Sequence, residues 1–280
     1  MNDKSRKDFL LSAIAEAEKD LAILDGERHR IIANLSSLHE ELQRLIHDTP
    51  VVKDISLLPD KILSKTSSPE EKITLFRSLF RGRDDVYPRL WTNKKTGKTG
   101  YSPVCNNEWI TGICEKPKVK CGECKHRSFA PVTDKIIREH LEGRYTIGIY
   151  PMLPDDTCYF LAIDFDKESW SEDVLAFMET SRKLKIPAAL ERSRSGKGAH
   201  VWIFFLNPVL ASTARKLGSY LLTETMSLHH ELGMDSYDRL FPNQDTIPKG
   251  GFGNLIALPL QKEAGKNGNA LFLDQDLKPY

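Results

Sequence analysis

Six apolar residues in a row, Val201 to Leu206, headed by His200, constrain this chain more than any other stretch. A run so short and so apolar must be a buried strand. The turn leading into it, "ERSRSGKGA", is basic and broken by glycine. Its small residues Gly196, Gly198 and Ala199 let a backbone or a ligand approach closely. Its cations Arg192, Arg194 and Lys197 suggest that the ligand is a phosphate. A second apolar run, "CYFLAIDFD", carries Asp164 and Asp166 two residues apart. Alternate residues of a strand share a face, so these carboxylates lie side by side. They repel each other unless a divalent cation lies between them. A strand ending in D-x-D is therefore a cradle for Mg²⁺ or Mn²⁺, although acidic strand ends also arise by chance.

Two further stretches, "YTIGIYPML" and "AALERS", read as strands, and helical patterns cover about 171–184 and 211–231. Shorter helices are predicted from Ser68, with Glu71 completing a capping box, and from Thr133 to Gly143. Strands mixed with helices, some joined by short turns, predict an α+β or mixed α/β core. Residues 5–47 read as helix. Leu10, Ile14, Ala17, Leu21, Leu24, Ile31, Leu35, Leu38, Leu42 and Leu45 alternate spacings of four and three, broken by Arg28. That period of about 3.5 residues is a coiled-coil seam. It serves a long helix, or a helical hairpin bent at Asp25-Gly26, packing on its own domain, on a partner or on a second copy. The expected organisation is an arm over 1–48, a linker over 49–68 and a catalytic domain over 69–280.

The formal net charge is +1, so partners have to be read from local charge. The clearest excess runs from Lys94 to Arg127, with eight Lys or Arg against three Glu. It is either a solvated face or a nucleic-acid contact. No apolar run approaches the roughly 20 residues of a membrane helix. The polar, charged N-terminus does not read as a signal peptide, which points to the cytoplasm. Of five cysteines, four cluster as Cys105, Cys114, Cys121 and Cys124, spaced C-x8-C-x6-C-x2-C. Such clustering in a cytosolic chain favours a structural Zn²⁺ knuckle, here spanning 101–130, over disulfides. Cys158, in an apolar stretch, reads as a small core residue.

Metal-holding carboxylates on one strand and a phosphate-binding turn before the next make a nucleotide–metal site. Nucleotidyl transfer by two metals wants a third carboxylate. Asp235, Asp238 and Asp245 are the candidates, and spacing alone does not rank them. A metal-dependent nuclease would draw on Asp164, Asp166 and Glu191, but it would usually want a lysine where Ser193 stands. A non-catalytic zinc-knuckle module binding nucleic acid would leave the carboxylates idle.

The segments "AIDFD", "SRSGKGAHVW" and "SYDRLFPNQD…GGFGNLIALPLQ" resemble, in order, the three motifs of the archaeo-eukaryotic primase (primase-polymerase) superfamily. The resemblance covers about 75–280 and is to the primase domain of helicase-fused TOTE conflict system proteins in particular, which also carry a four-cysteine knuckle. It implies an RNA-recognition-like sheet beside a flanking α/β unit. The implied activity is addition of nucleotides to a 3′-hydroxyl, or joining of the first two, on a single-stranded DNA or RNA template. Asp164 and Asp166 match the metal-binding pair, His200 the phosphate contact, and Asp238 the third carboxylate, with Asp245 as runner-up. The motif's common serine is Gly198 here. Arg192, Ser195, Lys197 and His200 would grip the triphosphate, and Lys249, Lys262 and Gly250-Gly251 are placed to close over nucleotide or template. The chain ends at "FLDQDLKPY" without a closing helix, which points to a longer parent protein with a helicase region.

Overall fold

The computed structural model describes residues 3–48, 63–64, 66–231, 233–247 and 250–280. The chain divides into two compact units, Met1–Ile62 and Leu63–Tyr280. The first contains one helix, α1 (Asp3–Asp48), which continues through Asp25-Gly26. Leu10, Ile14, Leu21, Leu24 and Ile31 on it are exposed. The expected linker lies mostly outside the described residues.

The second unit is an α+β fold. It begins with α2 (Pro69–Leu79), whose capping box forms as predicted: Ser68 Oγ accepts from the Glu71 amide and Glu71 accepts from the Ser68 amide. A hairpin follows, β1 (Pro88–Thr92) with β2 (Thr99–Pro103), and after the cysteine segment comes α3 (Asp134–Leu141), capped by Thr133. The chain continues through β3 (Gly148–Ile149), β4 (Thr157–Asp166), α4 (Trp170–Lys183), β5 (Ala189–Arg192) and β6 (Gly198–Leu210). It ends with α5 (Ala211–Leu228), β7 (Tyr237–Phe241), β8 (Ile256–Ala257), α6 (Lys262–Gly265) and β9 (Leu271–Leu273).

The five-stranded sheet has the order β7-β4-β6-β5-β9, antiparallel throughout. The two apolar runs, β4 and β6, lie at its centre, where both faces are covered. Leu161, Ile163 and Phe165 of β4, with Val201 and Ile203 of β6, pack towards Val174 and Phe177 of α4 and Leu221 of α5. The alternate residues Phe160, Ala162 and Trp202 face Ile73 and Phe76 of α2, Phe80, Ile137 of α3 and the small β3–β8 pair. Trp202 anchors that second layer, with ring centroids 5.0 Å from Phe80 and 5.1 Å from Phe160. Period-two alternation thus splits one sheet into two apolar layers, and Asp164, Asp166 and His200 fall on the Trp202 face.

Candidate active site

Cross-strand register gathers the site. Asp164 of β4 pairs with His200 of β6 on one side and Arg239 of β7 on the other, and His200 pairs with Glu191 of β5. Arg239, Asp164, His200 and Glu191 therefore form one row across four strands. Asp166 follows two residues after Asp164 on the same face.

Asp238 joins through a bulge. The β4–β7 register runs Asp164↔Arg239 and then Phe165↔Tyr237, which leaves Asp238 as the extra residue. In a regular ladder Asp238 would point away from its neighbour Arg239 and hence away from Asp164. The bulge re-aims it. Carboxylate oxygens of Asp164, Asp166 and Asp238 lie within 4.8 Å of one another, the one such metal-ligating group of three among the described residues. Asp245 instead pairs with Arg215 of α5. Of the three candidates Asp235, Asp238 and Asp245, the cluster contains Asp238.

The ends of β4 and β7 are pinned from below. Ser236 O accepts from the Asp166 amide at 2.7 Å. Asp173 Oδ2, buried at the start of α4, accepts from the Ser236 amide at 3.1 Å and its hydroxyl at 2.6 Å. Sequence reasoning missed Asp173, because an aspartate in a first helical turn ordinarily serves the helix dipole.

Gly198 is a requirement of this site. A Cβ there would stand 2.4 Å from Asp166 Oδ1 and 2.4 Å from Phe165 O. The missing side chain therefore lets the β6 backbone lie against Asp166 and Phe165. The turn before it leaves Ser195 and Lys197 exposed, while Ser195 Oγ also accepts from the Lys197 amide at 3.2 Å. Arg192 requires a correction. It follows Glu191 on β5 and so projects from the opposite sheet face. Its guanidinium donates to Gly268 O at 3.2 Å and Leu277 O at 2.9 Å, tying β5 to the C-terminal segment rather than gripping a phosphate.

Burial, the largest influence, pushes the Asp164 carboxyl up to about 6; nearby Asp166 and Asp238 push the same way and His200 opposes them. For His200, burial disfavours the imidazolium, but the Glu191 carboxylate and then Asp164 and Asp166 outweigh it, so its pKa is raised. The site therefore concentrates negative charge that a divalent cation would relieve.

Cys105, Cys114, Cys121 and Cys124 line one small cavity together with His126, and none is in a disulfide. No three of their sulfurs come within 4.8 Å of one another. Cys158 is buried in the core, as expected. A Cβ on Gly122, inside the C-x2-C turn, would come 2.6 Å from Gly250 O, so the knuckle and the glycine loop meet backbone to backbone. Lys249 lies outside the described residues. The lysines at 94, 95, 98, 118, 120 and 125 are exposed on the β1–β2 hairpin and the knuckle. No helix among the described residues is long and apolar enough to cross a membrane.

A family model described as the archaeo-eukaryotic primase domain of TOTE conflict systems matches residues 71–280. No curated protein matches the chain. Among solved structures, the chain is similar to the polymerase domain of Mycobacterium tuberculosis ligase D in complex with DNA. The identity is 12% over 68% of this chain and 72% of that one, with a TM-score of 0.40.

Proposed function

Because the chain belongs to the archaeo-eukaryotic primase domain family of TOTE conflict systems, we propose that it is a nucleotidyltransferase, a primase-polymerase working on a single-stranded DNA template. It adds nucleotides to a 3′-hydroxyl, or joins the first two. The observation that carries this reading is the convergence of three carboxylates from β4 and β7 beside His200. Its five-stranded sheet is read as the family's RNA-recognition-like core.

Asp164, Asp166 and Asp238 would hold Mg²⁺ or Mn²⁺, and their clustered charge suits a divalent ion. Two such ions would supply Lewis acidity, easing deprotonation of the attacking hydroxyl and neutralising the leaving pyrophosphate. His200, Ser195 and Lys197 bind the triphosphate through charge-assisted or hydroxyl hydrogen bonds. Asp173, through Ser236, keeps the carboxylate-bearing strand ends together. The exposed lysines of hairpin and knuckle contact template phosphates, an interaction that weakens with salt. A structural Zn²⁺ on the four cysteines is supported by their lining one cavity with none spent on a disulfide, and binding it would draw their sulfurs together. A helicase region in a longer parent chain and self-association through α1 complete the expected partners, in the cytoplasm.

A nuclease would need Glu191 at the metal, but that carboxylate is buried and bonded to His200 and Trp202. The test is incorporation of labelled nucleotide on a primed single-stranded template with Mn²⁺. Extension of the primer supports the proposal, whereas shortening of template or primer would favour the nuclease. Binding without either reaction would leave a nucleic-acid-binding module.

A further inference from the structure

Glu191 is 1% exposed, a carboxylate buried on the same sheet face as His200 and Asp164. A buried carboxylate is stable only when its charge is compensated and its oxygens are bonded. A single oxygen, Oε2, accepts from Trp202 Nε1 at 2.7 Å and faces His200 Nδ1 at 3.0 Å. An indole nitrogen can only donate, which fixes Oε2 as the acceptor of this pair. Against an ionised Glu191, which can only accept, His200 presents Nδ1–H. Its other nitrogen, Nε2, is turned towards the carboxylate cluster, 3.6 Å from Asp164 Oδ1. The backbone enforces the arrangement, because Glu191, His200 and Asp164 are direct cross-strand partners. Trp202, two residues beyond His200, shares its face and holds Glu191 in place from the core side.

We infer that Glu191 is a positioning residue, which through His200 fixes the imidazole nitrogen offered to the nucleotide triphosphate and locks the ring towards the metal site. The inference rests on reading His200 as a phosphate contact. Glu191 lies one side chain back from the carboxylate cluster: its Oε2 is taken by His200 and, from the core side, by Trp202. Trp202 is the second part of the device, since a Glu191 held only by His200 would be free to turn with the ring.

The test compares the full chain with His200→Ala, Glu191→Gln, Glu191→Leu and the doubles that combine His200→Ala with each Glu191 change. Single-nucleotide addition is measured across nucleotide concentrations, and folding is monitored by thermal melting. His200→Ala should raise the nucleotide KM roughly 10–100-fold, the worth of one charge-assisted hydrogen bond. Glu191→Leu should raise KM nearly as much with a smaller change in kcat. Glu191→Gln retains an acceptor and should fall between. In the His200→Ala background neither Glu191 change should raise KM further, because the residue it positions is gone. Should Glu191→Leu not fold, the Gln variant carries the same comparison. Proton–nitrogen spectra supply an independent readout: the His200 Nδ1–H resonance, assigned by its loss in His200→Ala, should move in Glu191→Gln. A Glu191→Gln protein with unchanged KM and an unmoved resonance, or KM effects that add to those of His200→Ala, would overturn the inference alone. An unchanged KM in His200→Ala would overturn the phosphate reading and this inference with it.

Discussion

Replacing Asp164 with Asn should stabilise the protein while abolishing its chemistry, provided no Mg²⁺ or Mn²⁺ is added. Asp164 is largely buried among other carboxylates, and its pKa rises from 3.8 to about 6 on folding. The native state thus holds the proton more tightly than the unfolded chain does. The associated stability is complete below about pH 3.8 and is lost as pH rises through about 6. At about 1.4 kcal/mol for each tenfold change in proton affinity, the loss approaches about 3 kcal/mol at pH 7.5. Asn mimics the protonated acid and avoids that loss. For a unit of this size, 1 kcal/mol corresponds to about 2–4 °C, so the variant should melt several degrees higher, up to about 12 °C. Thermal melts from pH 5 to 8 would measure this, with the steeper decline in the wild type. His200 also loses stabilisation as pH rises; the part due to Glu191 is common to both proteins, while the part due to Asp164 goes with the substitution, so the difference reads Asp164 together with its coupling to His200. Saturating Mn²⁺ should then raise the wild-type melting point more than that of the variant. A variant no more stable than wild type at pH 7.5, with the same pH slope, would refute the reasoning.

Further outcomes follow from the same geometry. Asp238→Asn should lower nucleotide addition roughly a hundredfold or more. Asp245→Asn, which removes an exposed ion pair with Arg215, should stay within about twofold. Arg192→Ala should leave the nucleotide KM unchanged but cost about 1–3 kcal/mol in urea melts, because two carbonyls of the C-terminal segment lose their donor. Metal analysis of reduced protein should find about one zinc per chain, and its removal should damage folding before chemistry. Deleting residues 1–48 should leave nucleotide addition intact while changing the sedimentation of the protein.

The centre of the sheet was legible because β4 and β6 are apolar on both faces, a pattern that admits few alternatives. The capping box at Ser68 and the cap at Thr133 were legible because they depend on neighbours within one turn. The hairpin β1–β2 was not, since "PRLWT" and "TGYSP" carry neither a clean alternation nor a compact turn. Asp164, Asp166 and His200 announced themselves as polar residues in apolar runs. Spacing alone left Asp238 as one of three, and the motif resemblance favoured it over Asp245; a bulge, which no spacing rule foresees, is what turns it towards the site. Arg192 misled for a related reason: membership of a basic turn says nothing about which sheet face a residue occupies. Glu191 and Asp173 act through partners on other elements, Trp202 with His200 and Ser236, and those contacts exist only once strand register is set.

In the proposed reaction three carboxylates and a divalent ion perform nucleotide transfer. The most direct measurement is the single-turnover rate of templated nucleotide addition against Mn²⁺ concentration for wild type, Asp164→Asn, Asp166→Asn and Asp238→Asn, with template affinity recorded for each. The account predicts metal-dependent addition by the wild type, near-complete loss in all three variants, and template affinity nearly unchanged. Wild-type rates in the two β4 variants, or a folded wild type that binds Mn²⁺ and template but adds no nucleotide, would contradict it.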